Sequence, residues 1–483
     1  MSLPQSTTMP PKAANKPRPM NVFARWRPLT DAEAPAGELE RTATPSPPSQ
    51  LLSVSVAQPG PADGKETAGK RWKSAAAFSA VLESGDDNAS SYAAVVEPAI
   101  PLVLDGGSCS FFAYGHSGSG KTHSIVGYDF DDDSKQLGLC LAASRKLFAT
   151  LHELNARGVQ EGKDEAGELG IGFSLFELRH KSAFDLLNRR AECHIREGPD
   201  GKTHIRGQTE TLPGGKVRVQ PIVQRACWDF ASLRQELVEA LKLRATGSSS
   251  VHEQSSRTHA VLELEVVNRA LLEARRAVVE RQSELVPVGK RATDVYLEET
   301  TKSIIVKPGG GYEKNPDYEI DQARVDAAEA DKAEHEARVA EAEQAVVDII
   351  ASSEFACLGG KTIFVDLAGA EYHTDSVSGS VASGAPKQSP KERQEGRQIN
   401  TDLLALKEVM RAWSRSQPRI PFRSSPLTMV LREHFAGAGR GGSSSGSGSS
   451  SSSMIVTVSP ARGQYVATLN SLKYANLVGA ATA

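Results

Sequence analysis

Apolar residues along this chain fall into three patterns, and their order outlines a layered α/β protein. Short, nearly unbroken apolar runs at 20–26, 110–114, 173–178, 362–365 and 454–458 are each bounded by Gly, Pro or polar residues, which predicts buried strands. Residues 260–267 alternate apolar and polar, as a strand with one wet face does. Apolar residues three and four apart predict helices over 92–104, 231–245, 399–413, 426–435 and 468–478. Beyond the 260–267 strand the period changes to a helical stripe through Val267, Leu271, Ala274, Val278 and Leu285. A second stripe runs through Val325, Ala328, Val339, Ala342, Val346 and Ile349, interrupted by Lys332 and His335. Two such stripes flanking a Gly-, Lys- and Glu-rich stretch predict an insertion over 268–357, folded as an antiparallel helical pair; packing helices of the main body would show the same period. Three segments lack periodicity. Residues 1–19 read as a disordered tail, 33–70 as an extended surface lobe around the apolar run 51–56, and 437–453 as a flexible Gly/Ser loop.

Composition narrows the class. A length of 483 residues is room for two or three domains, but the candidate motifs below are scattered over the whole chain, which favours one main domain spanning 20–483. The net charge of −3 offers no global basic field for nucleic acid or an anionic membrane. Five widely spaced cysteines (109, 140, 193, 227, 357), with no C-x-x-C pair, fit a reducing cytoplasmic compartment and argue against a disulfide framework or zinc site. No run of 18 apolar residues and no apolar-cored leader occurs, so neither a membrane span nor a signal peptide is expected.

The chemistry concentrates at 113–122, Ala-Tyr-Gly-His-Ser-Gly-Ser-Gly-Lys-Thr, which satisfies G-x-x-x-x-G-K-[ST] through Gly115, Gly120, Lys121 and Thr122. Glycines let backbone N–H groups converge on phosphates, a lysine supplies a point charge to the β/γ oxygens, and a hydroxyl completes a Mg²⁺ shell. The apolar strand before the loop and the helix-compatible chain after it supply the context this motif needs. Two further segments qualify the nucleotide. Ser255-Ser256-Arg257-Thr258-His259 precedes the 260–267 strand, and Asp366-Leu-Ala-Gly369-Ala-Glu371 follows the 362–365 strand. An acid ending a strand can hold Mg²⁺ through water, and a nearby glycine N–H can sense a γ-phosphate.

Together, and in this order, these segments resemble the kinesin motor domain, whose phosphate loop has the form AYGxTGSGKT and whose switches read NxxSSRSH and DLAGSE. The resemblance extends to Arg25-Trp-Arg-Pro28 (RxRP), to 176–187 (EIYNEKVxDLL), and to 395–406 (EGxxINxSLxAL). It extends also to 420–428 (VPYRDSKLT) and 468–475 (TLxTLxYA). It implies a P-loop NTPase fold, a mixed central β-sheet with helices on both faces, hydrolysing ATP with Mg²⁺. It implies nucleotide contacts from Arg25 and Pro28 beside the adenine, and from Gly115, His116, Ser117, Gly118, Ser119, Gly120, Lys121, Thr122, His123 and Ser255. It makes Thr122, Ser256 and Asp366 the Mg²⁺ residues, with Asp366 acting through water. Ser256, Arg257, Gly369 and Glu371 become the catalytic group, Arg257 pairing with Glu371 to close the site.

Departures from the family pattern are His252 for Asn, Thr258 for Ser and Ala370 for Ser; none removes a metal ligand or phosphate contact. His116 reads as a solvated loop histidine or, alternatively, a pH-sensitive contact to nucleotide. Residues 387–440 hold eleven Lys and Arg against five Asp and Glu, a basic stretch suited to an acidic filament, here microtubules. Ser424 and Pro426 replace the family's Asp and Lys there. The chain stops at Ala483, shortly after the last helix, and no heptads mark residues 1–19, so processive stepping does not follow from the sequence. The 268–357 insertion is expected far from the nucleotide, where it would recruit a protein partner or a second copy. The expected localisation is cytoplasmic and cytoskeletal. Two other functions remain open. One is a microtubule-binding scaffold with negligible ATPase. The other is a P-loop NTPase of another kind, against which stand Arg25-Trp-Arg-Pro28 and the lack of an N-K-x-D base-reading segment.

Overall fold

The strand that leads into the phosphate loop lies in the middle of a twelve-stranded sheet. The structure, a computed structural model, describes residues 20–56, 71–131, 134–160, 167–198, 201–245, 257–370, 390–415, 417–432 and 450–480. The sheet strands in chain order are β1 (Met20–Trp26), β2 (Ala80–Leu82), β3 (Ser108–Tyr114), β4 (Leu169–Arg179), β5 (Ser182–Asp185) and β6 (Ala191–Glu197). They continue as β7 (Thr203–Thr211), β8 (Val217–Pro221), β9 (Arg225–Cys227), β10 (His259–Asn268), β11 (Lys361–Asp366) and β12 (Ser450–Val458). Across the sheet the order is β8-β7-β6-β5-β4-β10-β11-β3-β12-β1-β2, with β9 alongside β4. The sheet is mixed: β11, β3, β12 and β1 run parallel, whereas β10 is antiparallel to both β11 and β4.

Successive side chains point to opposite faces of a strand, and the core divides accordingly. Phe111, Ala113 and Phe364 pack on one face with α1 (Leu139–Gln160) and α2 (Phe230–Ala245). Phe112, Tyr114, Ile363 and Val365 pack on the other with α5 (Pro390–Ser414) and α7 (Tyr465–Gly479). Between these helices in sequence lie α3 (Arg269–Lys302), α4 (Gln322–Ala351) and α6 (Pro426–Val430). Helices thus cover both faces of a mixed sheet. Register brings the functional ends together: Asp366 pairs with Ala113 on one side and Ala260 on the other, and Val456 lies beside Tyr114.

Three local expectations need correction. The helix expected over 92–104 is three short pieces, Asn88–Val95, Glu97–Ala99 and Ile100–Leu104, because Pro98 and Pro101 interrupt the hydrogen-bond ladder. The lobe at 33–70 contains a sheet, Glu40–Ser46 against Ser49–Ser55 and then Arg71–Lys73; residues 57–70 lie outside the described residues. Within 437–453, residues 450–453 are not a loop but the start of β12, paired with Met20 and Asn21 and with residues 108–111. Ser452 and Ser453 are each 3% exposed, so neighbouring strands rather than apolar side chains hold this polyserine segment in the sheet. The tail at 1–19 lies outside the described residues.

Residues 268–357 contain α3, a two-stranded ribbon (Ile304–Val306 with Tyr312–Lys314) and α4. The Asn268 side chain caps α3 by accepting from Leu271 N at 2.8 Å, and Asp321 caps α4 by accepting from Arg324 N at 3.0 Å. Both roots belong to the main core rather than to a separate unit: Leu271, Cys357 and Leu358 are buried in it, and Val346, Ile349 and Ile350 pack against it. Since the arm leaves the β10/β11 hairpin beyond the Glu265–Lys361 pair, it stands at the opposite end of those strands from Asp366.

Candidate nucleotide site

Backbone conformation comes first at the phosphate loop. Gly118 (φ 72°) and Gly120 (φ 100°) adopt left-handed conformations that a side chain would strain. Gly115 is required for a different reason. A Cβ there would stand 2.3 Å from Thr457 O and 2.5 Å from Ser119 Oγ, so the loop lies directly on the end of β12. Ser119 Oγ and Thr457 Oγ1 share a hydrogen bond of 2.7 Å across that contact. The segment after Asp366 docks on the same loop. Ala370 N donates to Gly115 O at 3.1 Å, and a Cβ on Gly369 would meet Ser117 N and Cα at 3.0 Å.

Five polar side chains converge beneath the loop. Lys121, 5% exposed, donates from Nζ to Gly115 O (3.1 Å) and His116 O (2.9 Å). Thr122 Oγ1 donates to Asp366 Oδ2 at 2.8 Å, joining the loop to the fully buried acid at the end of β11. Arg244, in the last turn of α2, donates from Nη1 to the same oxygen at 3.1 Å. His259 accepts from Ala368 N at Nδ1 (3.0 Å), so its proton sits on Nε2. Burial, together with the charges of Lys121 and Arg244, pushes its pKa down to about 3, and the ring is neutral at physiological pH.

His116 is buried rather than solvated. It is 4% exposed, its Nδ1–H donates to Ser117 O at 2.8 Å, and burial pushes its pKa down to about 4. Arg25 is buried and donates to Ser124 Oγ at 2.8 Å, fixing the short helix Lys121–Ile125 from behind; burial lowers its pKa to about 10. Pro28 is exposed beside Arg27, whose Nε donates to Gly118 O at 2.8 Å while Glu33 holds its other nitrogens at 2.6 and 2.7 Å. The His123 carbonyl is tied by Asn88 Nδ2 at 3.0 Å, and its ring centroid is 5.8 Å from that of Tyr128. Ser255, Ser256 and Glu371 lie outside the described residues. Arg257 is described, and Nη1 stands 3.9 Å from Glu395 Oε2. Glu395, at the start of α5, is also ion-paired with Arg179 and 4.0 Å from His180 Nε2.

Sequence reasoning missed Arg244 and the Glu395 cluster. An arginine closing a helix reads as a favourable partner for the helix dipole, and only the fold brings it 122 positions away to Asp366. Glu395 was visible as part of a motif, but its cations are distant in sequence, Arg179 and His180 at the end of β4 and Arg257 just before β10.

The residues fit a magnesium-bound nucleoside triphosphate. The glycines leave room where Cβ atoms would intrude, the lysine is buried at the loop, and Asp366 Oδ1 is buried with no hydrogen-bond partner among the described residues. No group of three or more His, Cys, Asp or Glu side chains suited to a metal occurs among the described residues. Mg²⁺ does not need one, since it binds through one or two protein oxygens, phosphates and waters. No helix among the described residues is long and apolar enough to cross a membrane.

Comparison with known proteins agrees with this geometry. The family model "Kinesin motor domain" matches residues 25–288 and 338–480, omitting the outer part of the arm. Curated relatives include kinesin-like protein KIN-13A of Oryza sativa subsp. japonica, 27% identical over 83% of this chain. Kinesin-like protein KIN-13B of Arabidopsis thaliana is 26% identical over 83% of it. The match spans only 34% and 39% of those relatives' own lengths. Among solved structures, mutants of a kinesin motor ATPase align over 95% of this chain and 99% of theirs, with TM-score 0.54 and 18% identity. The motor and motor homology domain of Kar3Vik1, fused to a synthetic coiled coil, aligns over 95% of this chain and 84% of its own, with TM-score 0.55 and 18% identity.

Proposed function

Because the chain belongs to the kinesin motor-domain family, we propose that it hydrolyses Mg-ATP and couples that turnover to binding and movement on microtubules. The observation carrying this reading is the direct bond from Thr122 Oγ1 to Asp366 Oδ2 at 2.8 Å, which joins phosphate loop and second switch at the place a metal ion needs. Thr122 and, through water, Asp366 would hold Mg²⁺, with Ser256 of the first switch as the family pattern implies. Bound there, the ion would neutralise phosphate charge as it develops. The chain's own contribution is positioning. Lys121 brings a buried positive charge to the loop, and the Gly369 backbone is packed against Ser117 where a γ-phosphate would displace it. Such a displacement has a route outward, because the second switch leads to α5 and Glu395 of α5 meets Arg257 of the first switch.

On α5, Arg397, Thr401, Leu404 and Glu408 are exposed and recur at helical spacing, and Leu404 is 58% exposed. This stripe, with Arg415 and Arg419 nearby in sequence, is the part of 387–440 we assign to the microtubule. Arg423 and Arg432 contribute less, since both are paired with Glu197. The arm, which exposes Tyr296, Leu297, Val306 and Tyr312, is assigned to recruiting a partner or a second copy.

Steady-state ATPase with and without polymerised tubulin, alongside Lys121→Ala, tests the reading. Tubulin is expected to raise turnover, and the variant to abolish it. No stimulation with co-sedimentation intact would leave a binding module; preference for GTP in competition would point to another NTPase. Deleting 289–337 should leave basal turnover in place, and loss of nucleotide binding would refute the separation of arm and site.

A further inference from the structure

Arg244 is a buried cation whose hydrogen-bonding capacity is mostly unused among the described residues. It is 3% exposed, permanently charged and, among the described residues, anchored at one atom, Nη1 on Asp366 Oδ2. Nε and Nη2, which carry three of the five guanidinium N–H groups, have no hydrogen-bond partner among the described residues. Buried donors are almost always matched by protein or water, and a cation's donors are the most costly to leave unmatched. A purely structural ion pair at the end of a helix would use neighbouring carbonyls to satisfy the rest of the fork. The oxygen that anchors Arg244, Asp366 Oδ2, is the one that also accepts from Thr122 next to Lys121, and Asp366 Oδ1 is likewise unmatched among the described residues. Lys121 and Arg244 are both close enough to His259 to depress its protonation. They are therefore two cations of one chamber.

Their anchoring differs. Lys121 is held over the loop by the carbonyls of Gly115 and His116, the part that would wrap the inner phosphates. Arg244 is held by Asp366 at the start of the second switch, the side on which the outermost phosphate would meet Gly369. A guanidinium offers two parallel N–H donors that match two oxygens of one phosphate, which a lysine cannot do.

We propose that Arg244 binds the terminal phosphate of the nucleotide, with Nε and Nη2 donating to its oxygens while Asp366 fixes the plane of the fork. The site would thereby distinguish triphosphate from diphosphate through a residue outside both switches. This rests on the nucleotide reading above.

The test is equilibrium binding of two fluorescent probes with Mg²⁺, a non-hydrolysable ATP analogue and ADP, each carrying an N-methylanthraniloyl group. Wild type, Arg244→Gln and Arg244→Lys are compared as the full chain, with nucleotide-free melting as the check on folding. Arg244→Gln is expected to weaken the triphosphate probe by roughly tenfold to a hundredfold and the diphosphate probe by less than about threefold. Arg244→Lys, keeping charge but not the fork, should fall between. Equal loss for both probes, or loss for neither, overturns the assignment. If the glutamine variant does not fold, the lysine variant decides alone, and unchanged triphosphate affinity there overturns it. Wild-type chain that binds neither probe would bring down the proposed function and this assignment with it.

Discussion

The nucleotide chamber and the arm are both rich in charge, yet they use it in opposite ways. The chamber holds a few charged groups, and Lys121, Asp366 and Arg244 are each buried. The arm holds many, nearly all in water: α4 buries no residue at all, and α3 buries only Leu271, Ser283, Ala292 and Glu299. Arg324 joins Glu298 and Glu299 across its two helices, Arg338 joins Glu284, and Arg291 joins Asp331. Apart from Glu299, which is buried, these are exposed pairs, and such pairs contribute between nothing and about 1 kcal/mol each, so they set the register of the two helices more than their stability. Breaking a buried pair costs about 3–5 kcal/mol, because a charge is left in the interior without a partner. Charge density in a sequence therefore says little about which charges matter; burial decides.

The seam between the two regions should show the largest effect. Glu265, 3% exposed near the root of the arm, accepts from Arg275 at 2.7 and 2.8 Å and from Gln224 at 2.9 Å, with Lys361 3.5 Å away. Burial opposes its ionisation, yet Lys361 and Arg275 hold the carboxyl well below the usual range. Glu265→Ala should cost about 3–5 kcal/mol in urea unfolding, since two cations lose their shared anion. A loss below about 1 kcal/mol would place this cluster with the arm's surface pairs and dissolve the distinction.

Within the chamber, Gly115→Ala comes next. The new methyl would overlap Thr457 O, a backbone atom of β12 that cannot rotate aside. About 3 kcal/mol of destabilisation is expected, the upper end of overpacking costs, together with lost nucleotide binding. Retained binding of fluorescent ADP would mean that loop and strand separate more easily than their contact implies.

These same regions differ in how far they could be read in advance. The phosphate loop, the strand ending at Asp366 and the two arm helices were legible because each depends on local spacing: glycines at fixed intervals, an unbroken apolar run, stripes of period near four. What stayed hidden depends on distant partners. Ser450–Ser453 read as a linker by composition, and only pairing with β1 and β3 makes it a strand. Arg244 and Asp366 meet through tertiary structure alone. The 33–70 lobe, broken by prolines at 35, 45, 47 and 48, gave no strand period although its strands form.

A pH experiment sharpens the contrast between buried and exposed carboxylates. Asp402 on α5 is 4% exposed, and burial pushes its pKa up to about 6 even though Gln398 and Ser425 bond to it. Its unfolded form ionises near 3.9, so between about pH 4 and 6 the folded state holds the extra proton and stability from this residue declines as pH rises. Asp402→Asn should therefore be about 1–2 kcal/mol more stable than wild type at pH 7, the gain vanishing below about pH 4. Glu298 in the arm behaves oppositely. Arg324 and Lys302 hold its carboxyl at about 2, so its pairing is present at neutral pH and is lost as pH falls through that value. A neutral-pH melt in which the asparagine variant is the weaker protein would show that hydrogen bonds outweigh burial at Asp402.

The smallest effect tests whether the arm is mechanically separate. Gly289 lies inside α3 two residues after Pro287, and a Cβ added there would have no atom within 4 Å. Glycine in a helix interior costs about 0.5–1 kcal/mol relative to alanine, from backbone freedom lost on folding. With nothing to collide with, Gly289→Ala should recover that amount locally, in the turn where Pro287 already removes a backbone donor. Amide exchange in the surrounding turns of α3 would slow by roughly twofold to fivefold, the factor equivalent to that free energy. Exchange in β11 and the rate of ATP turnover should not change, because the substitution touches neither the Glu265 seam nor the chamber. Slower exchange that spreads into β11, or an altered turnover rate, would mean that the arm's stability is transmitted through the β10/β11 hairpin to Asp366.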